Sequence, residues 1–137
     1  MAILLDPSAV VAAADAADLN HSAAVAWFAR ADEPLLLGAL GLAELDLLLQ
    51  RDLGVAATEA VLQAVVSDAI RLVPPTTEDL IRAMVLMDEA SEHRPRLVDA
   101  LLVATAERLA IRRVAAFDRR PLAVFQPRHV RALEFEP

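Results

Sequence analysis

The stretch Ile3–Ser8, with the sequence ILLDPS, decides how this chain begins to fold. Its aliphatic run extends back to residue 2, has no polar alternation, and is typical of a strand buried on both faces of a parallel sheet. Asp6 is a favourable helix N-cap and Pro7 suits the first helical position, so a helix should begin directly after the strand. The stretch therefore predicts a strand that leads straight into a helix.

The same alternation of strand and helix continues along the chain. Apolar runs predict further strands at 35–37, 70–73, 114–117 and, as an edge strand, 131–135. Helical spacing and capping residues predict helices at 20–31, 40–52, 56–67, 77–91 and 97–109, with 118–121 as a turn. Strands separated by helices imply a three-layer α/β/α sandwich around a central, mostly parallel sheet of roughly four to five strands. The 137 residues fit a single domain, 1–137.

Composition excludes several classes of chemistry. There is no Cys, which excludes disulfides, thiolate metal sites and cysteine nucleophiles. All 13 basic residues are Arg, so the Lys that a P-loop or a Schiff-base enzyme requires is absent. With no basic leader and no long apolar run, the expectation is a cytoplasmic protein with no membrane contact.

The net charge of −7 conceals an uneven distribution of charge along the chain. Residues 1–93 carry a formal charge of −11, whereas residues 94–137 carry +4. The overall acidity argues against a uniformly basic nucleic-acid binder, but the arginine-rich final third suits phosphate contacts. Four arginines are candidate contacts to a nucleic-acid backbone, with solvated surface charge as the equally weighted alternative: Arg112, Arg113, Arg119 and Arg120.

Four acidic residues occupy positions that favour a functional site. Asp6 and Asp118 follow predicted strands, while Glu44 and Asp99 lie on strongly apolar helices. Ligands of parallel sheets bind beyond the carboxyl ends of the strands, and the fold can bring all four acids to that end. Carboxylates gathered in one cleft repel one another unless cations neutralise them, and Mg²⁺ or Mn²⁺ suits a set of oxygen ligands. Such a site can activate water and stabilise charge on a phosphodiester.

Each of these acids also has a possible structural explanation. Asp6 can act only as an N-cap, Asp99 as an early-turn acid favoured by the helix dipole, and Asp118 as a turn residue. Glu44 is predicted to share a helical stripe with apolar residues, where a carboxylate must be paired, protonated or bound to metal. That stripe consists of Leu40, Gly41, Leu47 and Leu48.

The remaining acids and the histidines are predicted to have no site role. Asp46 can form a hydrogen bond with Gln50 one turn later and is assigned to solvated surface, as is Asp79. The histidines are far apart and lack the paired spacing of a zinc helix, so they are assigned to surface or loops: His21, His93 and His129.

Four motifs, in this order, resemble those of PIN domains, and specifically of the VapC-type ribonuclease toxins of bacterial toxin–antitoxin pairs. They lie at 3–8, 43–46, 97–109 and 114–120, so the resemblance covers nearly the whole chain. Each motif alone is nonspecific, whereas their order and spacing and the chain length together make the combination specific.

The resemblance implies a function and a site. Such toxins use clustered acids to bind Mg²⁺ or Mn²⁺ and cut single-stranded regions of RNA, which leaves a 5′-phosphate and a 3′-hydroxyl. Asp6, Glu44 and Asp99 are implied as the main metal neighbours, with Asp118 as an outer or second-metal ligand. Ser8 matches the small hydroxyl residue that helps to hold such a site.

The resemblance also implies two protein partners. One is a cognate VapB-type antitoxin, whose helix or extended tail would enter the acidic groove. The other is a second copy of the chain, in a homodimer formed through the helices that bear residues 25–28 and 40–49.

Two departures from the family pattern leave a competing hypothesis open. Pro7 stands where Thr is common, and Ala116 stands two residues before Asp118, where the family often has Thr or Ser. Loss of hydrogen bonds around a metal site can cost about 10–100-fold in metal affinity or activity, so the chain could be a catalytically weak or inactive PIN-like binding module. A phospho-accepting receiver domain is disfavoured, because that class relies on a Lys.

Overall fold

A computed structural model describes all 137 residues. It contains five short strands: β1 (Ile3–Leu5), β2 (Leu35–Gly38), β3 (Arg71–Val73), β4 (Arg113–Ala115) and β5 (Glu134–Glu136). Its α-helices are α1 (Pro7–Ala14), α2 (His21–Arg30), α3 (Ala39–Asp52), α4 (Val55–Val66), α5 (Thr77–Glu89), α6 (Leu97–Arg108) and α7 (Arg120–Ala123), with a 3₁₀ turn at Ser91–His93. None of these helices is both long and apolar enough to span a bilayer.

All five strands are parallel, and their spatial order is β3-β2-β1-β4-β5. β1 lies at the centre, with Leu5 opposite Leu37 of β2 on one side and Ala115 of β4 on the other. The predicted α/β/α sandwich is confirmed, and the sheet that was predicted to be mostly parallel is parallel throughout. The last strand lies at an edge, as predicted, although it covers Glu134–Glu136 rather than 131–135.

The two faces of the sheet explain why β1 is apolar at every position. Leu4 packs on one face, in a cluster that includes Leu86 of α5 and further side chains of α6. Ile3 and Leu5 belong to the cluster on the opposite face, together with Trp27 of α2. Burial of each such large side chain contributes roughly 1.5–3 kcal/mol, so a polar residue in this strand would be strongly destabilising.

The end of β4 differs from its prediction. β4 ends at Ala115 rather than at Phe117, because its pairing with β1 and β5 extends only that far. Phe117 instead donates its N–H to the Ser8 hydroxyl at 3.1 Å. Asp118 thus stands three residues beyond the strand, and α7 occupies part of the segment predicted as a turn at 118–121.

Asp79 was predicted to be solvated surface, and that prediction was wrong, since the residue is only 2% exposed. Its carboxylate closes a capping box with Thr76 at the start of α5 and accepts hydrogen bonds from Arg108 of α6 at 2.9 and 3.0 Å. Burial raises the pKa of Asp79, but the hydrogen bonds from Arg108 and Thr76 outweigh burial and hold the pKa below its usual value. The sequence of α5 indicates that a helix starts there. It does not indicate that Asp79 pairs with an arginine 29 residues later in the chain.

Candidate active site

A polar cleft lies at the carboxyl ends of the central strands and brings the four predicted acids together. We call it the acidic cleft; its walls include Asp6, Glu44, Asp99 and Asp118, together with Ser8, Arg96, Arg119 and Arg120. A neighbouring crevice is lined mainly by aliphatic side chains and contains no ionisable residue. That crevice offers no group for metal binding or proton transfer, so the acidic cleft is the candidate active site.

The junction of β1 and α1 positions Asp6. Asp6 is the N-cap of α1 and accepts a hydrogen bond from the Ser8 backbone N–H at 2.9 Å, while the Ser8 hydroxyl donates to the same oxygen. Because that hydroxyl also accepts the N–H of Phe117, Ser8 fixes the segment before Asp118 against α1. Asp6 is almost fully buried, and burial raises its pKa although the Ser8 hydrogen bonds act in the opposite direction.

Glu44 lies beside the buried stripe of α3 rather than on it. The prediction placed Glu44 on an apolar stripe with Leu47, but Leu47 is 72% exposed. The residues of α3 that pack inward are Gly41, Leu45 and Leu49. The prediction was right for Gly41, which is buried, and wrong for Leu47, because leucines are so frequent on this helix that two stripes look equally apolar. Glu44 therefore meets the acidic cleft from the edge of α3, where a polar partner can reach it.

A close helix contact brings Glu44 to the cleft. Gly41 lies one turn before Glu44, and a Cβ at that position would meet the Leu37 side chain at 3.1 Å and the Pro7 ring at 3.6 Å. The absence of a side chain lets α3 approach β2 and the start of α1. Glu44 and Asp6, which are 38 positions apart by their numbers in the sequence, consequently line the same cleft.

Asp46 has more contacts than predicted. It accepts the expected hydrogen bond from Gln50, at 2.5 Å, and a second one from Thr58 of α4, at 3.0 Å. The carboxylate is half-buried rather than fully solvated. It does not line the acidic cleft, and its contacts join α3 to α4.

Asp99 carries a carboxylate into a mostly apolar setting. It lies in the first turn of α6, its side chain is 9% exposed, and its Oδ2 atom is buried without a hydrogen-bond partner. The nearest cation is Arg96, whose Nε lies 4.0 Å from that oxygen. Burial raises the pKa of Asp99 to about 6, with the Arg96 charge opposing the rise and Asp6 adding to it. A buried, unpartnered carboxylate oxygen is what a cation-binding site would present.

Two arginines pair with the outer acids of the cleft. Arg96, the residue that precedes α6, pairs with Glu44, and Arg120 of α7 pairs with Asp118 at 3.2 Å. The two inner acids have no comparably close cation. Sequence reasoning missed Arg96, although its spacing of three residues from Asp99 is a usable signal, because side chains three apart on a helix lie on the same side.

Two of the four candidate backbone-binding arginines lie away from the cleft. Arg113 opens β4 at the amino-terminal edge of the sheet and pairs with Glu33 and, at 2.8 Å, with Glu136. Arg112 precedes it and approaches Glu134 at 3.9 Å. Because ligands of a parallel sheet bind at its opposite edge, this placement does not support a substrate contact for either arginine.

The other two candidate arginines line the cleft but differ in their freedom. Arg119 donates to the carbonyl of Pro137 at 2.5 Å and lies over the ring of Phe135, 5.6 Å from its centroid. Its side chain therefore anchors the final strand. The Arg120 side chain is 91% exposed and has only Asp118 as an ion-pair partner, so Arg120 is the arginine better placed to contact a ligand.

The side-chain atoms that the acidic cleft offers to a ligand are of the type that binds a hard divalent cation. They are carboxylate oxygens, which Mg²⁺ and Mn²⁺ prefer, and the buried Oδ2 of Asp99 has no other partner. In the observed arrangement, no three His, Asp or Glu side chains converge closely enough to hold one ion. Mg²⁺ is usually held by one or two carboxylates together with water molecules, so two of these acids would suffice for a site.

Comparison with known proteins classifies the chain. A family profile described as the PIN domain matches residues 3–125, which include all four acids of the cleft. The chain belongs to the PIN domain family. Over 125 residues, this PIN domain is 28% identical to ribonuclease VapC26 of Mycobacterium tuberculosis, and the match covers 91% of this chain and 93% of that relative.

The PIN domain resembles solved structures of VapC-type toxins. The crystal structure of VapC20 from Mycobacterium tuberculosis, a toxin that cleaves the sarcin–ricin loop, superposes with a TM-score of 0.82 at 26% identity and covers 94% of this chain and 98% of VapC20. VapBC2 from Rickettsia felis, bound to promoter DNA, matches over 100% of both chains with a TM-score of 0.71, but at 13% identity it shows the fold alone. This PIN domain is thus a distant homologue of VapC ribonuclease toxins.

Proposed function

We propose that this PIN domain is a metal-dependent endoribonuclease that cuts single-stranded regions of RNA and is the toxin of a toxin–antitoxin pair. The observation that carries the proposal is Asp99, a buried carboxylate with an unpartnered oxygen in a cleft shared with three other acids. Such a group does not stabilise the fold, whereas it suits the binding of a cation. Homology to VapC ribonucleases favours RNA as the substrate.

Each cleft residue has a distinct role in this proposal. Asp6 and Asp99 would hold Mg²⁺ or Mn²⁺ with Glu44, while Asp118 would serve as an outer or second-metal ligand. The metal would supply activation of water and stabilisation of negative charge on the phosphodiester in a two-metal type of hydrolysis. Ser8 keeps the carboxylate of Asp6 oriented through its two hydrogen bonds.

The two departures from the family pattern are compatible with activity. Pro7 is the first residue of α1, where an N–H has no intrahelical acceptor, so a proline loses little there. The N–H that caps Asp6 comes from Ser8 instead. Ala116 is fully buried, and the segment after it is fixed by the Ser8 hydroxyl. Neither departure therefore removes a hydrogen bond that holds Asp6 or the segment before Asp118 in this structure.

The decisive test is RNA cleavage by variants of the two inner acids. We expect Asp6→Asn and Asp99→Asn each to lower Mg²⁺- or Mn²⁺-dependent cleavage by at least about 100-fold. Loss of a residue that only hydrogen-bonds to a metal ligand lowers activity by up to about 100-fold, and these two changes remove a proposed ligand itself. The assay uses a labelled single-stranded RNA, with protein purified free of contaminating nuclease. Asp88→Asn, an exposed change on α5, is the matched control and should cleave like the wild type.

Two outcomes of this test would contradict the proposal in different ways. Full cleavage by both variants, with their circular dichroism unchanged, would remove the assigned site. No metal-dependent cleavage by the wild type would favour the alternative of a PIN-like binding module. In that second case, retained RNA binding without cleavage would identify RNA as the ligand of the module.

The proposal includes a cognate antitoxin of the VapB type. Solved structures of similar fold include a VapBC complex from Rickettsia felis and FitAcB from Neisseria gonorrhoeae, the second at 22% identity with a TM-score of 0.65. An antitoxin segment that carries an arginine would be complementary to the acidic cleft. Cleavage that continues unchanged when the product of a small neighbouring gene is bound would contradict this part of the proposal.

The proposal also includes a homodimer, for which α5 offers an apolar surface in addition to the expected helices α2 and α3. In the expected segments Trp27 and Leu45 are buried in the core, whereas Val25 and Leu47 are exposed. Exposed apolar side chains form one stripe on α5, and such a stripe is suited to association with a second copy. Its members are Leu80, Ile81, Met84 and Val85. Light scattering that gives the mass of one chain would contradict the homodimer.

A further inference from the structure

Arg96 lies within the acidic cleft, although the proposed reaction assigns it no role. Its guanidinium pairs with Glu44, and its Nε lies 4.0 Å from the unpartnered oxygen of Asp99. Both of these carboxylates are proposed metal neighbours. A positive group of the chain itself therefore neutralises the acids that a metal ion would otherwise neutralise.

The guanidinium of Arg96 is more than half exposed, whereas its backbone is fixed. The carbonyl of Arg96 accepts the N–H of Ala100, which fixes the residue as the N-cap of α6. Its side chain is 57% exposed, and Glu44 is its only side-chain hydrogen-bond partner. A long side chain on a fixed backbone can change rotamers without disturbing the helix that carries Asp99.

The surface next to Arg96 suits a chain of phosphates. A groove continues from the acidic cleft past the start of α6, and its walls include Arg94, Arg96 and Arg120. Arg94 forms no ion pair, and Arg120 is almost fully exposed. Because a guanidinium donates two parallel hydrogen bonds to a phosphate, this row of arginines offers a path for an RNA backbone that enters the cleft.

We propose that Arg96 is a movable cation of the nuclease site, which pairs with Glu44 in the metal-free protein and transfers to an RNA phosphate once Glu44 engages a metal ion. This inference rests on the proposed function and assigns Arg96 to substrate binding. Arg96 and the metal then compete for one carboxylate. Glu44 is paired with Arg96 in the structure, so a metal ion bound by Glu44 displaces that guanidinium.

The experiment compares Arg96→Gln with Arg94→Gln in the full chain. Both changes remove one positive charge from the same groove, but only Arg96 pairs with a cleft carboxylate. Calorimetric titration with Mn²⁺ in the absence of RNA measures metal affinity. A cleavage assay with a labelled single-stranded RNA separates KM from kcat, and thermal unfolding verifies that both variants fold.

The expected signature of Arg96→Gln is a pair of effects with opposite signs. Mn²⁺ should bind about two- to fivefold more tightly, because a half-exposed ion pair that competes for Glu44 is gone. KM should rise by about tenfold, because a charge-assisted contact to phosphate is lost. Arg94→Gln should leave Mn²⁺ affinity unchanged within about twofold.

Several results would overturn the inference. Unchanged or weaker Mn²⁺ binding by Arg96→Gln would show that Arg96 does not compete with the metal. A KM equal to that of the wild type would show that Arg96 does not reach the RNA. If the wild type binds Mn²⁺ and cleaves RNA while Arg96→Gln has the same Mn²⁺ affinity as Arg94→Gln, only this inference fails. If the wild type does neither, the proposed function fails as well.

Discussion

Asp99 is a residue that its own helix does not explain. An acid in the first turn is favoured by the helix dipole, but the apolar residues around Asp99 in the sequence already indicate a setting that the dipole does not explain. Only the packing of α6 shows that the carboxylate is buried and that its Oδ2 atom has no partner. The buried Asp99 carboxylate disfavours folding. The proposed reaction accounts for its presence in the acidic cleft, because a bound cation would balance its charge.

We expect Asp99→Asn to raise the free energy of unfolding of the metal-free protein by about 1–3 kcal/mol at neutral pH. The pKa of this carboxyl is about 6 instead of the ordinary 3.8, so burial disfavours its charged form in the folded state. Near neutral pH the Asp99 side chain is mostly ionised in both the folded and the unfolded protein. The free-energy cost of burying its charge therefore destabilises the folded state. Asn keeps the shape of the side chain and removes the charge. Urea unfolding in EDTA provides the measurement.

Asp88→Asn serves as the control for this gain in stability. It removes the same charge from an exposed position on α5 and should change the free energy of unfolding by less than about 0.5 kcal/mol. A lower stability of Asp99→Asn than of this control would mean that attraction to Arg96 outweighs the burial of the Asp99 charge.

At the level of elements, local patterns predicted which segments form helices and strands, and tertiary contacts determine where they end. The N-cap of α1 at Asp6 and the start of α5 at Thr77 are both as predicted, because capping is a local interaction. β4 ends earlier than predicted because its length depends on strands distant in sequence. α3 shows the same limit, since its many leucines conceal which stripe faces inward.

The pairing of α5 with α6 depends on Asp79, so we expect Asp79→Asn to lower the free energy of unfolding by about 1–3 kcal/mol at neutral pH. The carboxylate is buried and accepts two hydrogen bonds from Arg108, and an amide would leave that guanidinium without its counter-ion. Urea unfolding should reveal the loss. Asp88→Asn on the same helix is again the control and should be neutral.

The stability difference between wild type and Asp79→Asn should also depend on pH. The folded-state pKa of Asp79 lies below the ordinary 3.8, so the carboxylate stabilises the fold above that pH. This contribution is lost as the pH falls through the lower, folded-state pKa, because protonation then removes the ion pair. The difference should be constant from about pH 5 to 7 and shrink below about pH 4. A difference that stays constant to pH 3 would show that shape, not charge, accounts for it.

For the whole molecule, the parallel sheet explains how acids far apart in sequence come to share one cleft. Asp6 and Asp118 could be anticipated at the carboxyl edge of the sheet, because a buried strand is readable from its apolar run, although β4 ends three residues before Asp118. The contact between Arg96 and Glu44 could not be anticipated from the sequence, because it joins side chains 52 residues apart. The sequence therefore predicted the acids of the site, while the cations that accompany them required the folded chain.

The arginines of the final third divide between holding the fold and lining the cleft. Arg113 ties the starts of several strands together, since Glu33, one of its partners, also pairs with the N-terminal ammonium at 2.9 Å. Arg119 holds the C-terminal segment. Arg120 has an exposed guanidinium at the acidic cleft, so the positive charge of this region is only partly available to a ligand.

This division predicts that Arg120→Gln weakens RNA binding whereas Arg112→Gln does not, although both changes remove one exposed charge. Single-stranded RNA releases counterions when an arginine neutralises a phosphate, so loss of one contact should lower the slope of log affinity against log salt by about 0.7. Fluorescence anisotropy in EDTA, at several salt concentrations, measures binding without cleavage. Arg112 lies at the opposite edge of the sheet and should leave the slope unchanged. Equal slopes for the two variants would mean that RNA does not follow the cleft-side arginines, and that net charge alone attracts it.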